Sequence, residues 1–136
     1  MITSEQAALV RKSFDAMWSV RRTLAQLFYA RFFELAPDAR ALFPADLERQ
    51  QVKLMDMIAA IVGALDQREL FHSLIRHSGD QHQQFGAQPR HYDAFGEALI
   101  WSLRTQFRHD FTPALEEAWR SLYAAVRREM TDAARA

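Results

Sequence analysis

Apolar residues recur along this chain at the three- and four-residue spacing of amphipathic α-helices. Between 46 and 65, Leu54, Ile58 and Ile61 fall on one face at that spacing, and charged residues occupy the other faces. No segment alternates apolar and polar residues as a half-buried strand would. The pattern predicts an all-α fold of six to eight helices, which include 4–18, 20–35, 46–65, 68–77, a long helix opened by Pro89 and a last helix that starts at Thr112 and Pro113.

Capping residues mark the predicted helix ends in the first half of the chain. Thr3 and Gln6 have the spacing of a capping box, in which each side chain bonds the other residue's backbone N–H. Pro37 either ends the second helix or opens a short third one, because proline fits the first turn of a helix. Asp46 is suited to cap the helix that follows it.

The segment after the helix over 68–77 contains two glycines. We expect a break at Gly79, then a short helical turn that Asp80 caps and Gly86 ends. This turn would carry His82.

Composition favours a single soluble globular domain over 1–136, with 49% hydrophobic and 25% charged residues. The formal net charge of +0 argues against nucleic acid or an anionic membrane as partner. The absence of cysteine excludes disulfides and thiolate-held metal centres. We expect a cytoplasmic protein without a membrane segment, since we see neither a signal-peptide pattern nor a run of about 20 apolar residues. Ten phenylalanines suit a flat apolar cofactor as well as an ordinary core.

Several segments, in order, resemble single-domain bacterial globins and the globin domain of flavohaemoglobins. They are 28–37 (FYARFFELAP), 41–43 (ALF), 50–54 (QQVKL), 81–86 (QHQQFG), 91–92 (HY), 96–99 (GEAL), 118–119 (AW) and Tyr123. The resemblance covers nearly the whole chain and depends on the order and spacing of these segments. It implies a globin fold around haem b, with no separate D helix because only seven positions separate Phe43 from Gln50.

The resemblance assigns the iron ligand to His82, a neutral imidazole of the kind that suits haem iron. Its other ring nitrogen needs an acceptor, for which Ser78, one turn earlier, is the candidate. Opposite His82, Tyr29 and a glutamine would donate hydrogen bonds to a bound gas. Gln50 fits this distal position better than Gln51, because starting from Gln51 would turn an aspartate toward the core.

The remaining haem contacts follow from the same resemblance. Phe43 would stack on the haem, and Leu54 would set the size of the distal pocket. We expect the histidines other than His82 to face solvent, and His91 has a haem propionate as an alternative partner. The predicted cofactor contacts are Phe43, Leu54, Ile58, Ile75, Ser78, Phe85, His91, Tyr92 and Phe95.

The favoured function is reversible dioxygen binding at a five-coordinate ferrous haem, for storage, delivery or sensing and without catalysis. One alternative is nitric oxide dioxygenation with a separate reductase, since the chain ends at Ala136 where flavohaemoglobins continue into a reductase domain. Another is a haem-free interaction module. The glutamate that tightens the proximal histidine in flavohaemoglobins corresponds here to Ala134, and Glu129 comes too early to replace it. Dioxygen or another diatomic gas is the expected partner, and the chain would be a monomer or a homodimer.

Overall fold

Six α-helices make up most of the described chain. The computed structural model describes the backbone of residues 2–84 and 87–135, and the side chains in these ranges other than those of 78–84 and 132–135. The helices are α1 (Ser4–Met17), α2 (Arg21–Leu35), α3 (Leu47–Gly63), α4 (Arg68–Gln84), α5 (Pro89–Phe107) and α6 (Pro113–Arg135). Short 3₁₀ turns follow α1, α2 and α5 at Trp18–Val20, Pro37–Leu42 and Arg108–Asp110. These ranges contain no strand, which confirms the predicted all-α class.

The capping residues act as the sequence predicts. The Gln6 N–H donates to Thr3 Oγ1 and the Thr3 N–H donates to Gln6 Oε1, each at 3.0 Å. Asp46 accepts from the Glu48 N–H at 3.2 Å and so fixes the start of α3. Pro37 opens a 3₁₀ turn, and residues 43–46 contain no helix, so the expectation of no separate D helix is confirmed.

The predicted break at Gly79 is wrong. The helix α4 runs without interruption from Arg68 to Gln84, so Asp80 caps no separate turn and His82 lies within α4. A single glycine inside a helix costs only about 1 kcal/mol relative to alanine. The helix α4 packs along α6, and packing of this kind contributes more to helix stability in proteins than the local preference of a single residue. Gly86, the predicted end, lies outside the described residues.

The helices pack on one another around one core. The α2 helix packs on α5 and on α3, and α6 packs on both α4 and α1. Trp119 of α6 is buried against α1, where its Nε1–H donates to Ser13 Oγ at 2.9 Å. None of the described helices combines the length and the hydropathy needed to cross a membrane.

A glycine permits close packing between α5 and α6. A Cβ atom built on Gly96 would lie 2.6 Å from Cε2 of Tyr123. The Tyr123 ring cannot easily move, because it stacks on Phe95 at 5.7 Å and its hydroxyl donates to the Tyr92 carbonyl at 2.6 Å. The small residue at 96 therefore sets the distance between the two helices.

We expect Gly96→Ala to lower the free energy of unfolding by about 1–3 kcal/mol, because it forces extra volume into a filled contact. Urea unfolding of the two purified proteins measures this. Gly63→Ala is the matched control, since no atom lies within 4 Å of a Cβ at that position. There the helix preference of alanine should leave stability unchanged or higher by up to about 1 kcal/mol. Equal losses at both glycines would contradict the packing argument.

Candidate functional site

The Tyr29 hydroxyl is buried among aromatic rings. Its side chain, on α2, is only 3% exposed. The Phe28, Phe33 and Phe43 rings lie 4.9, 5.8 and 5.6 Å from the Tyr29 ring, centroid to centroid. Burial raises the pKa of Tyr29 to about 12, and a hydrogen bond with the Gln50 side chain opposes part of that rise. The phenol is therefore held neutral at physiological pH.

Six aromatic residues form one continuous cluster around this hydroxyl. Ring centroids of neighbouring members lie 4.6–6.0 Å apart. Most pairs are edge-on or tilted, and Phe32 and Phe33 are stacked at 5.6 Å. The cluster joins α2 to the corner before α3 and to α5. We call it the aromatic cluster; its members are Phe28, Tyr29, Phe32, Phe33, Phe43 and Phe95.

Arg40 holds the corner that carries Phe43. Its guanidinium donates to the carbonyls of Phe43 and Pro44, at 3.3 and 3.1 Å, and to that of Ala45 at 3.3 Å. The same group lies 5.6 Å from the Phe33 ring, in cation–π contact. The sequence interpretation did not single out Arg40. Three carbonyls thus accept hydrogen bonds from one side chain. These bonds hold the backbone of the corner, and so position the Phe43 ring against Tyr29.

The first turns of α3 place Gln50 beside Tyr29. Leu54, one turn later, is half-buried against the core, and Ile58, a further turn along, is buried. Val52, by contrast, is 60% exposed and marks the solvent side of the helix. Of the two adjacent glutamines, Gln50 is the one whose side chain hydrogen-bonds Tyr29. The structure thus brings together Tyr29, Phe43 and Gln50.

The α5 side of the site is joined to α6 through its first turns. Phe95 belongs to the aromatic cluster and stacks on Tyr123, and the Tyr92 carbonyl accepts from the Tyr123 hydroxyl. Burial raises the pKa of Tyr92 and that of Tyr123 above the ordinary value. The guanidinium of Arg127 lies 5.9 Å from the Tyr92 ring and donates to Asp93 and to the Pro89 carbonyl.

The predicted residues on α4 are only partly described. Ile75 is fully buried. The side chains of Ser78 and His82, as well as Phe85 and the side chain of Ala134 on α6, lie outside the described residues, so their predicted roles stay predictions.

Glu129 joins α6 to α4 upstream of His82. One carboxylate oxygen lies 2.8 Å from His72 Nδ1 and accepts from Arg76 Nε at 3.1 Å. Burial raises the pKa of Glu129, but its contacts with His72 and Arg76 outweigh that effect and hold the pKa below its usual value. The sequence interpretation considered Glu129 only as a partner for His82 and missed this contact with α4.

The expectation of exposed histidines is correct at two positions and wrong at His91. His77 is exposed, and the side chain of His109 is 92% exposed. His72 is half-buried beside Glu129. His91 is only 5% exposed, because α5 begins with that side chain turned toward the corner after α2. The sequence does contain a signal for this placement: His91 lies three residues after Gln88, and that spacing is typical of a capping box at a helix start.

Both ring nitrogens of His91 have partners within the chain. Nδ1 accepts from the Gln88 N–H at 2.9 Å, and Nε2 lies 3.1 Å from Asp38 Oδ2. An accepting Nδ1 leaves the proton on Nε2, so the ring is neutral and donates to the carboxylate. In this arrangement neither nitrogen is available to the propionate named as its alternative partner.

The described side chains offer apolar surface and, on one side, a polar edge. This combination suits a flat apolar group. Phe43, Leu54 and Phe95 pack on the core yet remain half-buried, so each has apolar surface that a bound ring could cover. The Tyr29 and Gln50 side chains supply the polar edge. On this test the site fits haem, which presents an apolar macrocycle and a gas-binding iron.

The fold and the site together define an all-helical protein in which a buried tyrosine of the aromatic cluster lies beside a half-buried glutamine. The model of the Globin family matches residues 26–130, and the chain belongs to the globin family. Proteins of this family bind haem.

Individual relatives are similar over most of this chain. A flavohemoprotein of Vibrio cholerae is 30% identical over 90% of the chain, which spans 32% of that protein. A flavohemoprotein of Deinococcus radiodurans is 25% identical over 93% of the chain and again 32% of the relative. A neuroglobin of Tetraodon nigroviridis is 26% identical over 92% of the chain and 87% of its own length. Because flavohemoproteins and neuroglobins both match, the assignment to bacterial globins in particular stays a prediction.

We expect each of the three tyrosines of the folded protein to ionise above the ordinary pKa of 10.0, and Tyr29 near 12, because burial raises the pKa of all three. Tyrosinate absorbance, followed through an alkaline titration, measures this. A full-amplitude transition centred on pH 10 in folded protein would contradict the raised pKa of Tyr29 and Tyr123.

The raised pKa of Tyr29 also predicts how stability depends on pH. Its folded value of about 12 lies above the ordinary 10.0, so its contribution is complete below pH 10 and is lost as the pH rises toward 12. The loss amounts to at most about 3 kcal/mol. Urea unfolding at stepped pH should therefore show a shallower decline over this range for Tyr29→Phe than for the unchanged chain, and parallel declines would count against it.

Proposed function

We propose that this chain binds haem b through His82 and reversibly binds dioxygen beside Tyr29 and Gln50. The observation that carries the proposal is the hydrogen-bonded pair of Tyr29 and Gln50 in the aromatic cluster. A haem iron with one histidine ligand supplies an open position for a diatomic gas. The work of the chain is to hold the haem, exclude water and donate hydrogen bonds to the gas.

The proposed role requires the Tyr29 proton to be available to the gas. We propose that in the contact between the two side chains the Gln50 amide donates to the Tyr29 oxygen, as an amide N–H and a hydroxyl oxygen can. The Tyr29 O–H can then donate to a gas molecule that gathers negative charge. Because carbon monoxide gathers little charge, these donors favour dioxygen over carbon monoxide.

The proposed haem contacts come from four elements. Phe43 at the corner after α2 would stack on the haem, Leu54 would limit the space for the gas, and Ser78 would orient the ligand histidine. The absence of cysteine argues for haem b, since covalent attachment of the c type uses cysteines. The other contacts that we propose are Ile58, Ile75, Phe85, Tyr92 and Phe95.

The matches to flavohemoproteins favour a second candidate, nitric oxide dioxygenation. The chain aligns with about a third of their length. Flavohemoglobins have a reductase domain, and a reductase would supply the electrons for this reaction. One nitric oxide, one dioxygen and one electron give one nitrate, and the distal donors suit that reaction as well. Nitrate production that continues over many turnovers with a reductase present would favour the enzyme. Consumption of one nitric oxide per haem would favour storage, delivery or sensing.

We expect Tyr29→Phe and Gln50→Leu each to speed dioxygen dissociation by about 10- to 100-fold, because each removes a hydrogen bond of about 1–3 kcal/mol from a dry pocket. Carbon monoxide dissociation should change by less than about threefold, since that gas gathers little charge. Stopped-flow displacement of each gas from the reduced protein measures both rates. Gln51→Leu is the matched control and should leave the dioxygen rate near its original value. An unchanged dioxygen rate in Tyr29→Phe would remove that residue from the distal role.

A further inference from the structure

The first turn of α5 is fixed from two directions. From α6, Tyr123 donates to the Tyr92 carbonyl at 2.6 Å and Arg127 donates to the Pro89 carbonyl at 3.2 Å. From the opposite side, His91 donates to Asp38, which lies in the 3₁₀ turn Pro37–Leu42 after α2. This start of α5 comes directly after the connection from α4, the helix that carries His82.

The His91 ring is buried where it contacts Asp38, unlike a histidine that faces solvent. Its side chain is 6% exposed, whereas that of Asp38 is 46% exposed, so the ring is enclosed and the carboxylate lies at its edge. Arg90 also pairs with Asp38, at 2.5 Å. The contacts with Arg90 and His91 hold the pKa of Asp38 below its usual value. The carboxylate is therefore ionised and accepts from both neighbours.

The contact joins two walls of the candidate site. Asp38 lies five positions before Phe43, on the turn whose Arg40 holds the Phe43 carbonyl. His91 directly precedes Tyr92 and lies one turn before Phe95. A shift of the α5 start relative to this turn would therefore change the spacing between Phe43 and the α5 residues of the pocket.

We propose that His91 is a positioning residue, which fixes the start of α5 against the Asp38 turn and so keeps the haem pocket closed around its cofactor. His91 acts through Asp38 and the Gln88 N–H and itself touches no haem. The consequence for haem retention rests on the proposed function. The link between positions 38 and 91 does not, and the two are measured separately.

A double-mutant cycle tests the link in the full chain as purified. His91→Ala and Asp38→Ala are made singly and together, and the folding equilibrium is measured by urea unfolding. We expect the two effects to be non-additive by about fivefold in the equilibrium constant, because the hydrogen bond involves a charged but half-exposed group. Asp66→Ala is the matched control, since Asp66 is an exposed carboxylate paired with Arg11 at 3.2 Å. It should be additive with His91→Ala. Additivity between positions 38 and 91 would overturn the link.

The rate of haem loss to an excess of a haem-scavenging apoprotein tests the positioning role. We expect His91→Ala and Asp38→Ala to raise this rate about tenfold, as loss of a charge-assisted hydrogen bond would. Ser13→Ala separates the role from general stability, because it removes the acceptor of Trp119 Nε1 at the contact between α1 and α6. It should unfold more easily yet keep its haem. If haem loss follows urea stability equally in all these variants, the positioning role is wrong.

His91→Gln provides a conservative rescue. A glutamine amide carries an acceptor and a donor side by side, as the neutral ring does, and glutamine is an ordinary capping-box residue at this position. We expect it to restore most of the haem retention that His91→Ala loses. Equal haem loss in the two variants would contradict the proposed pair of hydrogen bonds. If the unchanged chain binds no haem, the proposed function and the retention claim fail together, and the coupling cycle still decides the link.

Discussion

The burial of the Tyr29 hydroxyl constrains how α2, α3 and the corner between them can be arranged. Tyr29 lies in an aromatic cluster that offers its hydroxyl no polar partner, and a buried polar group without a hydrogen bond is expensive. Gln50 provides that partner from the first turns of α3. The start of α3 must therefore lie close to α2, and the Asp46 cap and the Arg40 contacts in the corner before it keep it there.

The same constraint explains why the site is polar on one face and aromatic elsewhere. Phe43 and Phe95 reach the cluster from two different elements, and each keeps some apolar surface outside the core. The helices α5 and α6 are held together by the close approach of Gly96 and Tyr123 and by the bond from Arg127 to the Pro89 carbonyl. These contacts restrict movement of the start of α5 relative to α6. These contacts thus lie around the proposed haem site.

Local signals in the sequence predicted those parts of the fold that depend on neighbouring residues. The Thr3 and Gln6 capping box, the Asp46 cap and the turn opened by Pro37 each need only a few adjacent positions. Gly79 misled the prediction, since the packing of α4 on α6 overrides its local preference and cannot be seen in a short window. His91 was misplaced for a related reason. Its partner Asp38 lies 53 positions away, and nothing near His91 indicates that a carboxylate will meet it.

The central claim is that His82 holds a haem with an open side, and the absorption spectrum of the reduced protein tests it most directly. The spectrum is recorded with and without carbon monoxide for the unchanged chain and for His82→Ala, with His109→Ala as the control at a 92% exposed histidine. The account predicts an intense haem band that shifts on addition of carbon monoxide in the unchanged chain and in His109→Ala. In His82→Ala that band should be lost or strongly altered. A colourless protein after haem supplementation, or an unchanged spectrum in His82→Ala, would contradict the account.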